Sequence, residues 1–214
     1  MILLGLVGNP ASGKSTVAKY LQEKGALWIN ADLIARDVLN QTDVTKQLSE
    51  HFGSQILGSD GKIIRKVLAS MVFGETQEKK SELDFLESVL HPPTRTEITE
   101  RLKAATATDV QVVILDVPLL FESKWDISCD LIWCVDAPRE SRLKWASQRG
   151  WDAAELERRE KNQLPIEKKR RLSNLFLFND ATLPDLLGIL DSQWSILATM
   201  KQDEKDSSVD SHCF

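Results

Sequence analysis

Eight residues near the start of the chain, Gly8-Asn9-Pro10-Ala11-Ser12-Gly13-Lys14-Ser15, carry its clearest chemistry. They satisfy the pattern GxxxxGK[ST], in which glycines let successive backbone N–H groups point inward at phosphate oxygens. Lys14 supplies a positive charge for the β- and γ-phosphates of a nucleoside triphosphate, and the Ser15 hydroxyl is placed to ligate Mg²⁺. Asn9, Ala11, Ser12, Gly13 and Thr16 count with them as nucleotide-binding positions. The four fixed residues recur by chance in on the order of one chain in a hundred at ~7% glycine usage. Context removes most of that chance, because an apolar run of strand length (2–7) precedes the motif and helical spacing (16–24) follows it. A helix opening near Lys14 adds its positive dipole end to the cradle.

A guanine nucleotide calls for an NKxD-type reader and a DxxG switch, and neither stands at a suitable position. ATP with Mg²⁺ is therefore the expected donor, and 214 residues suit a small-molecule kinase better than a motor or a transporter. For the acceptor side, Asp32 follows the second apolar run, 26–29. A carboxylate at a strand's C-terminal end, near a phosphate loop, can take the proton of an attacking hydroxyl. An Asp ahead of an apolar helical run is equally a helix N-cap. The two roles are compatible.

These groups need a scaffold. Apolar runs at 2–7, 26–29, 110–117, 131–135 and Leu175–Phe178 read as strands, most of them continuous, as in strands covered on both faces. Helical spacing at 16–24, 33–39 and 82–102, the last interrupted at Pro92 and Pro93, alternates with them. Strands alternating with helices imply right-handed βαβ units and a five-stranded parallel sheet flanked by helices, an α/β fold. The expected core is 1–60, 108–143 and 172–200, with a helical insertion at 61–107. Residues 144–171 are dense in Arg, Lys and Glu and read as a solvated helical pair or a mobile lid. The polar stretch 201–214 reads as a disordered tail.

Composition excludes several classes. The chain is 42% apolar and 28% charged, with net charge −5, so its surface does not advertise nucleic-acid binding. Phosphate must then be met by local cations. Cys129, Cys134 and Cys213 lack the spacing of a disulfide framework or a zinc site, which points to a reduced, cytoplasmic setting. The first apolar run is too short for a secretory signal, and no run approaches the ~20 apolar residues that span a bilayer. The expectation is a soluble protein with no membrane, nucleic-acid or obligatory protein partner.

Further pieces fall in order along the chain. They are Asn30-Ala31-Asp32 with Ile34-Ala35-Arg36, Phe52-Gly53, Asp60-Gly61-Lys62 with Arg65 and Leu68, and Val72-Phe73. Leu86-Glu87 with His91-Pro92, then Leu115-Asp116-Val117-Pro118-Leu119-Leu120-Phe121-Glu122, Arg159 with Gln163, and Asn179 complete the set. On these pieces, from about residue 2 to 194, the sequence resembles the dephospho-CoA kinase family. The resemblance implies a P-loop NTPase fold of the nucleoside-monophosphate-kinase kind, with a helical acceptor-binding insertion and a lid. It implies transfer of the ATP γ-phosphoryl to the ribose 3′-hydroxyl of dephospho-CoA, giving CoA and ADP.

By the same resemblance, Asp32 is the general base and Asp116 joins Ser15 at Mg²⁺, although a strand-end turn role for Asp116 stays open. Arg36, Arg65, His91, Arg95, Pro118 and Leu119 fall on the acceptor side. Arg142 and Asn179 fall with the nucleotide; Arg142 and Arg149 flank the lid, where either guanidinium, Arg149 in the first place, could meet charge on the transferring phosphoryl group. The chain departs from the pattern at Asn30, where the family has Asp, and at Ser173-Asn174, where it has Ala-Asp. It also carries extra residues between Leu143 and Arg149. Two rival readings are a nucleoside or nucleotide kinase on the same core, and a nucleotide-binding protein without catalysis. Lys14 and Asp32 count against the second.

Overall fold

A computed structural model describes residues 1–74 and 76–209, with 201–209 as backbone only. The chain forms two compact units, one from Met1–Asn30 together with the residues from Ala104 onward, the other from Ala31–Lys103.

The first unit is built on the expected sheet. Strands β1 (Ile2–Gly8), β2 (Leu27–Asn30), β3 (Val112–Asp116), β4 (Leu131–Asp136) and β5 (Leu175–Phe178) all pair in parallel, in the order β2-β3-β1-β4-β5. Central β1 is buried along nearly its whole length, which explains its unbroken apolar run. Leu4 and Leu6 face the same side as Val112, Ile114, Trp133 and Val135. Helix α1 (Lys14–Glu23) covers that side with Val17, Ala18 and Leu21, and α9 (Leu183–Val209) covers it with Leu186, Leu190 and Leu197. On the opposite side Gly5 leaves no room for a side chain, since a Cβ there would stand 2.9 Å from Cys129 Sγ.

Register fixes where the chemistry sits. Asn30 is the partner of Asp116, and Gly8 the partner of Val135, so Gly8, Asn30, Asp116 and Asp136 close the C-terminal ends of four neighbouring strands. In an open α/β sheet this edge is where ligands bind.

Three helices occupy the stretch after β4: α6 (Arg139–Ser147), α7 (Ala153–Lys161) and α8 (Ile166–Arg171). The highly charged sequence conceals a small apolar cluster, in which Ala146 and Leu156 are buried with Ala11 and flanked by Leu143, Trp145 and Trp151. Asp152 caps α7 by accepting from the Glu155 N–H at 2.8 Å. Helix α9 continues to Val209, into the stretch expected to be a disordered tail, and 210–214 lie outside the described residues.

The second unit is helical: α2 (Ala31–Val38), α3 (Thr42–Phe52), α4 (Arg65–Val72) and the greater part of α5 (Gln77–Thr106). It begins at Ala31, well before the expected insertion at 61, because α3 packs on α5. The His51 ring stacks on Phe85 at 3.7 Å and its Nε2 lies 2.6 Å from Glu82. The expected interruption of α5 at Pro92 and Pro93 does not occur. Each proline removes one N–H, so the helix forgoes bonds to the Ser88 and Val89 carbonyls. The long arms on either side carry it through. Among the described residues no helix is long and apolar enough to cross a membrane.

Candidate active site

The loop after β1 takes the shape its glycines require. Gly8 adopts φ +148°, and a Cβ on it would stand 1.9 Å from the Val135 carbonyl oxygen. Gly13 adopts φ +100°, with Asn179 Nδ2 2.5 Å from where a Cβ would be. Ala11 holds a left-handed φ of +59° at a cost of about 1–2 kcal/mol, offset by its place in the buried cluster with Ala146 and Leu156. The Ser12 hydroxyl is buried yet makes no hydrogen bond, which suits a loop that closes on phosphate oxygens.

Lys14 begins α1, and its ammonium donates to the carbonyls of Asn9 at 2.9 Å and Gly8 at 3.2 Å. Ser15 and Thr16 follow with exposed side chains. Asn9 Nδ2 donates to Asp136 Oδ1 at 3.1 Å, tying the loop to the end of β4. Asn179, just past β5, donates from its backbone to the Asp136 carbonyl at 2.7 Å and from Nδ2 to the Ser12 carbonyl at 3.2 Å. The expected nucleotide residues in and around the loop are thus brought together.

Asp116 is buried at the end of β3. Its Oδ2 accepts from Trp28 Nε1 at 3.3 Å and from Asn30 Nδ2 at 3.4 Å. The amide that replaces the family's carboxylate therefore donates to the acid at the neighbouring strand end. Mg²⁺ prefers oxygen ligands and is usually held by one or two carboxylates together with phosphates. The Ser15 hydroxyl and the Asp116 carboxylate fit that chemistry.

Arg142 is held apart from solvent, with its side chain 9% exposed. Its Nε donates to the Ala137 carbonyl at 3.0 Å and lies 3.6 Å from Asp136, while its Nη1 pairs with Glu160. These contacts fasten α6 to β4 and α7. Arg149 instead lines a cavity of about 210 Å³ with Gly13, Thr16, Trp145, Gln148 and Asn179. Trp145 and Gln148 belong to the extra residues before Arg149, and sequence reasoning gave them no role. Arg159 lies over the Trp151 ring at 4.1 Å and pairs with Glu155. Sequence reasoning also missed Lys169, a fully buried lysine whose ammonium reaches the Gly8 carbonyl. Its charge density among Lys168–Arg171 gave no local signal.

In the helical unit, Asp32 is the second residue of α2 rather than its cap, and its side chain is exposed in the positive first turn. Arg36 stands in the last turn of α2, and Arg65 opens α4. His91 and Arg95 lie one turn apart on α5, hence on one face. All four are exposed. In the sheet unit, Pro118 is half-buried and Leu119 exposed just after β3.

The dephospho-CoA kinase family model matches residues 2–185. A dephospho-CoA kinase from Rhodopirellula baltica is 36% identical over 191 residues, covering 89% of this chain and 88% of the relative. That of Carboxydothermus hydrogenoformans is 38% identical over 183 residues, 85% of this chain and 87% of its own. A crystal structure from Thermus thermophilus superposes with a TM-score of 0.72 at 31% identity, over 94% of this chain and 97% of that one. Dephospho-CoA kinase from Campylobacter jejuni shares the fold, with a TM-score of 0.66 at 22% identity over 91% of this chain and 96% of its own. A phosphate loop of this geometry, on a sheet of this order, in a chain matched along most of its length, leaves one conclusion: the chain belongs to the dephospho-CoA kinase family.

Proposed function

We propose that the protein transfers the γ-phosphoryl group of ATP to the ribose 3′-hydroxyl of dephospho-CoA, in the cytoplasm, giving CoA and ADP. The observation that carries this reading is the formed phosphate loop beside a buried strand-end carboxylate, Asp116, in a chain of this family. Backbone N–H groups of the loop hold the β- and γ-phosphates, and Lys14 moves from the Gly8 and Asn9 carbonyls onto them. Ser15 and Asp116 would hold Mg²⁺, which when bound would neutralise charge on the phosphates. The 3′-oxygen forms a bond to the γ-phosphorus as the bond to the β,γ-bridging oxygen breaks, and the hydroxyl proton passes to Asp32. Arg149, in the cavity beside Gly13 and Thr16, meets charge on the transferring group, and Arg142 seats the helix that leads to it. Arg36, Arg65, His91 and Arg95, with Pro118 and Leu119, receive the acceptor. Its pyrophosphate needs local cations in a protein of net charge −5, and arginine bonds phosphate bidentately.

ADP formation measured without acceptor, and with dephospho-CoA, AMP or adenosine, tests the reading. Turnover is expected to depend on dephospho-CoA, and Asp32→Asn to lower kcat by about 10²–10⁴-fold while ATP binding is nearly unchanged. Equal kcat/KM for the three acceptors overturns the substrate assignment. ATP binding with no turnover on any acceptor overturns catalysis itself.

A further inference from the structure

Lysine is almost never fully buried unless its ammonium is satisfied, yet Lys169 is 1% exposed. From α8 its Nζ donates to Gln163 Oε1 at 2.6 Å and to the Gly8 carbonyl at 3.2 Å. Lys14 Nζ donates to that same carbonyl at 3.2 Å. Two ammonium groups, one from α1 and one from the lid, thus converge on a single oxygen of the phosphate loop. The other ionisable groups facing Lys169 are Glu122 from the stretch after β3, and Cys134 and Asp136 from β4. Cys134 is pushed up to about 11 by burial and stays a neutral thiol. Asp136 already receives Asn9 and Arg142, and Glu122 accepts from the Leu164 N–H at 2.6 Å. Burial first, and then the neighbouring Lys14, lower Lys169 to about 8.

We infer that Lys169 is a positioning residue for the donor nucleotide: it holds the Gly8 carbonyl from the lid side and makes the resting place of Lys14 unfavourable, so that Lys14 is given up to the incoming phosphates. The inference rests on the ATP reading above. Like charges that share one acceptor repel, and in a water-poor surrounding the repulsion is weakly screened. A triphosphate relieves it by drawing Lys14 away, and Lys169 then keeps the loop's first turn in place. Lys169 touches no substrate in this account. Its protonation tunes how readily the loop accepts ATP.

The test compares wild type, Lys169→Met and Lys169→Arg from pH 6.5 to 9.5, with KM measured for both substrates. Lys169→Met keeps the length of the side chain and removes the charge. It is expected to raise KM for ATP on the order of tenfold, the scale of one charge at a few ångströms, and to change KM for dephospho-CoA less than about twofold. In wild type kcat/KM for ATP should fall as pH rises through about 8, approaching the Met variant, whose profile is flat. Lys169→Arg keeps its charge throughout and should show no such fall. Equal KM for ATP in wild type and Lys169→Met, or parallel pH profiles, overturns the inference. Should the Met variant not fold, a wild-type profile flat to pH 9.5 overturns it, and a fall absent from the Arg variant supports it. If wild type phosphorylates no acceptor, the function reading fails separately, and ATP affinity by calorimetry replaces KM in the same comparison.

Discussion

The amide at the end of β2 shows how much one atom can decide. Asn30 Nδ2 lies 3.4 Å from Asp116 Oδ2, an acid buried in the fold. Asn30→Asp would set two carboxylates on one site and raise the pKa of one of them. The expected loss of stability at pH 7 is about 1–3 kcal/mol, the scale of a donor removed from a buried acceptor. The raised group binds its proton in the folded state, so the loss should shrink as pH falls toward 5. Urea unfolding at the two pH values checks this, and an equal loss at both would mean that charge pairing is not what Asn30 avoids. The place of Lys14 and Ser15 at the start of α1 was legible in the sequence, because the shape of the loop before them depends on neighbours a few residues away. Lys169 was not, because the carbonyl it serves lies 161 residues off in the chain. Nor could the sequence show the partners of Arg142, since only the folded chain brings Asp136, Ala137 and Glu160 around it.

Among the elements, the strands were the easiest to read, because burial on both faces leaves no polar positions to confuse the pattern. The stretch after β4 was harder. Its helices bury only a narrow apolar stripe, Ala146 and Leu156 with two half-buried tryptophans, beneath a charged surface. Helix α5 runs through Pro92 and Pro93, whose missing donors are set against the bonds of the long arms on either side in a helix of thirty residues. The helical unit carries its own prediction. Arg65 and Arg95 are exposed at the start of α4 and along α5, where a pyrophosphate can reach their guanidinium forks. Replacing either by Ala should raise KM for dephospho-CoA by roughly ten- to a hundredfold, the worth of a charged hydrogen bond of about 1.5–3 kcal/mol. KM for ATP should stay largely unaltered. Steady-state kinetics with each substrate varied in turn would expose a wrong assignment, since a general loss of kcat with both KM values unchanged would place these arginines elsewhere.

At the scale of the whole molecule, a chain of net charge −5 concentrates cations at one strand edge. That concentration opposes folding. Lowering Lys169 from its usual 10.5 to about 8 corresponds to about 3 kcal/mol against the charged form, at 1.36 kcal/mol per unit. The two hydrogen bonds it makes offset about 1–2 kcal/mol of that. Lys169→Met should therefore melt a few degrees above wild type at pH 7. The gap should narrow between pH 8 and 10.5, where the unfolded chain still binds a proton that the folded one has released and wild type gains stability. Scanning calorimetry at pH 7 and 9.5 reads both effects, and a variant that melts below wild type at pH 7 would show the ammonium to be a net stabiliser.

The crowded carbonyl of Gly8 then has a consequence for heredity. If the gene were mutated over many rounds and its product selected only for surviving heat, an apolar residue at 169 would be among the early gains. Populations required to make CoA would keep the lysine, and the position would record which of the two demands a lineage had faced.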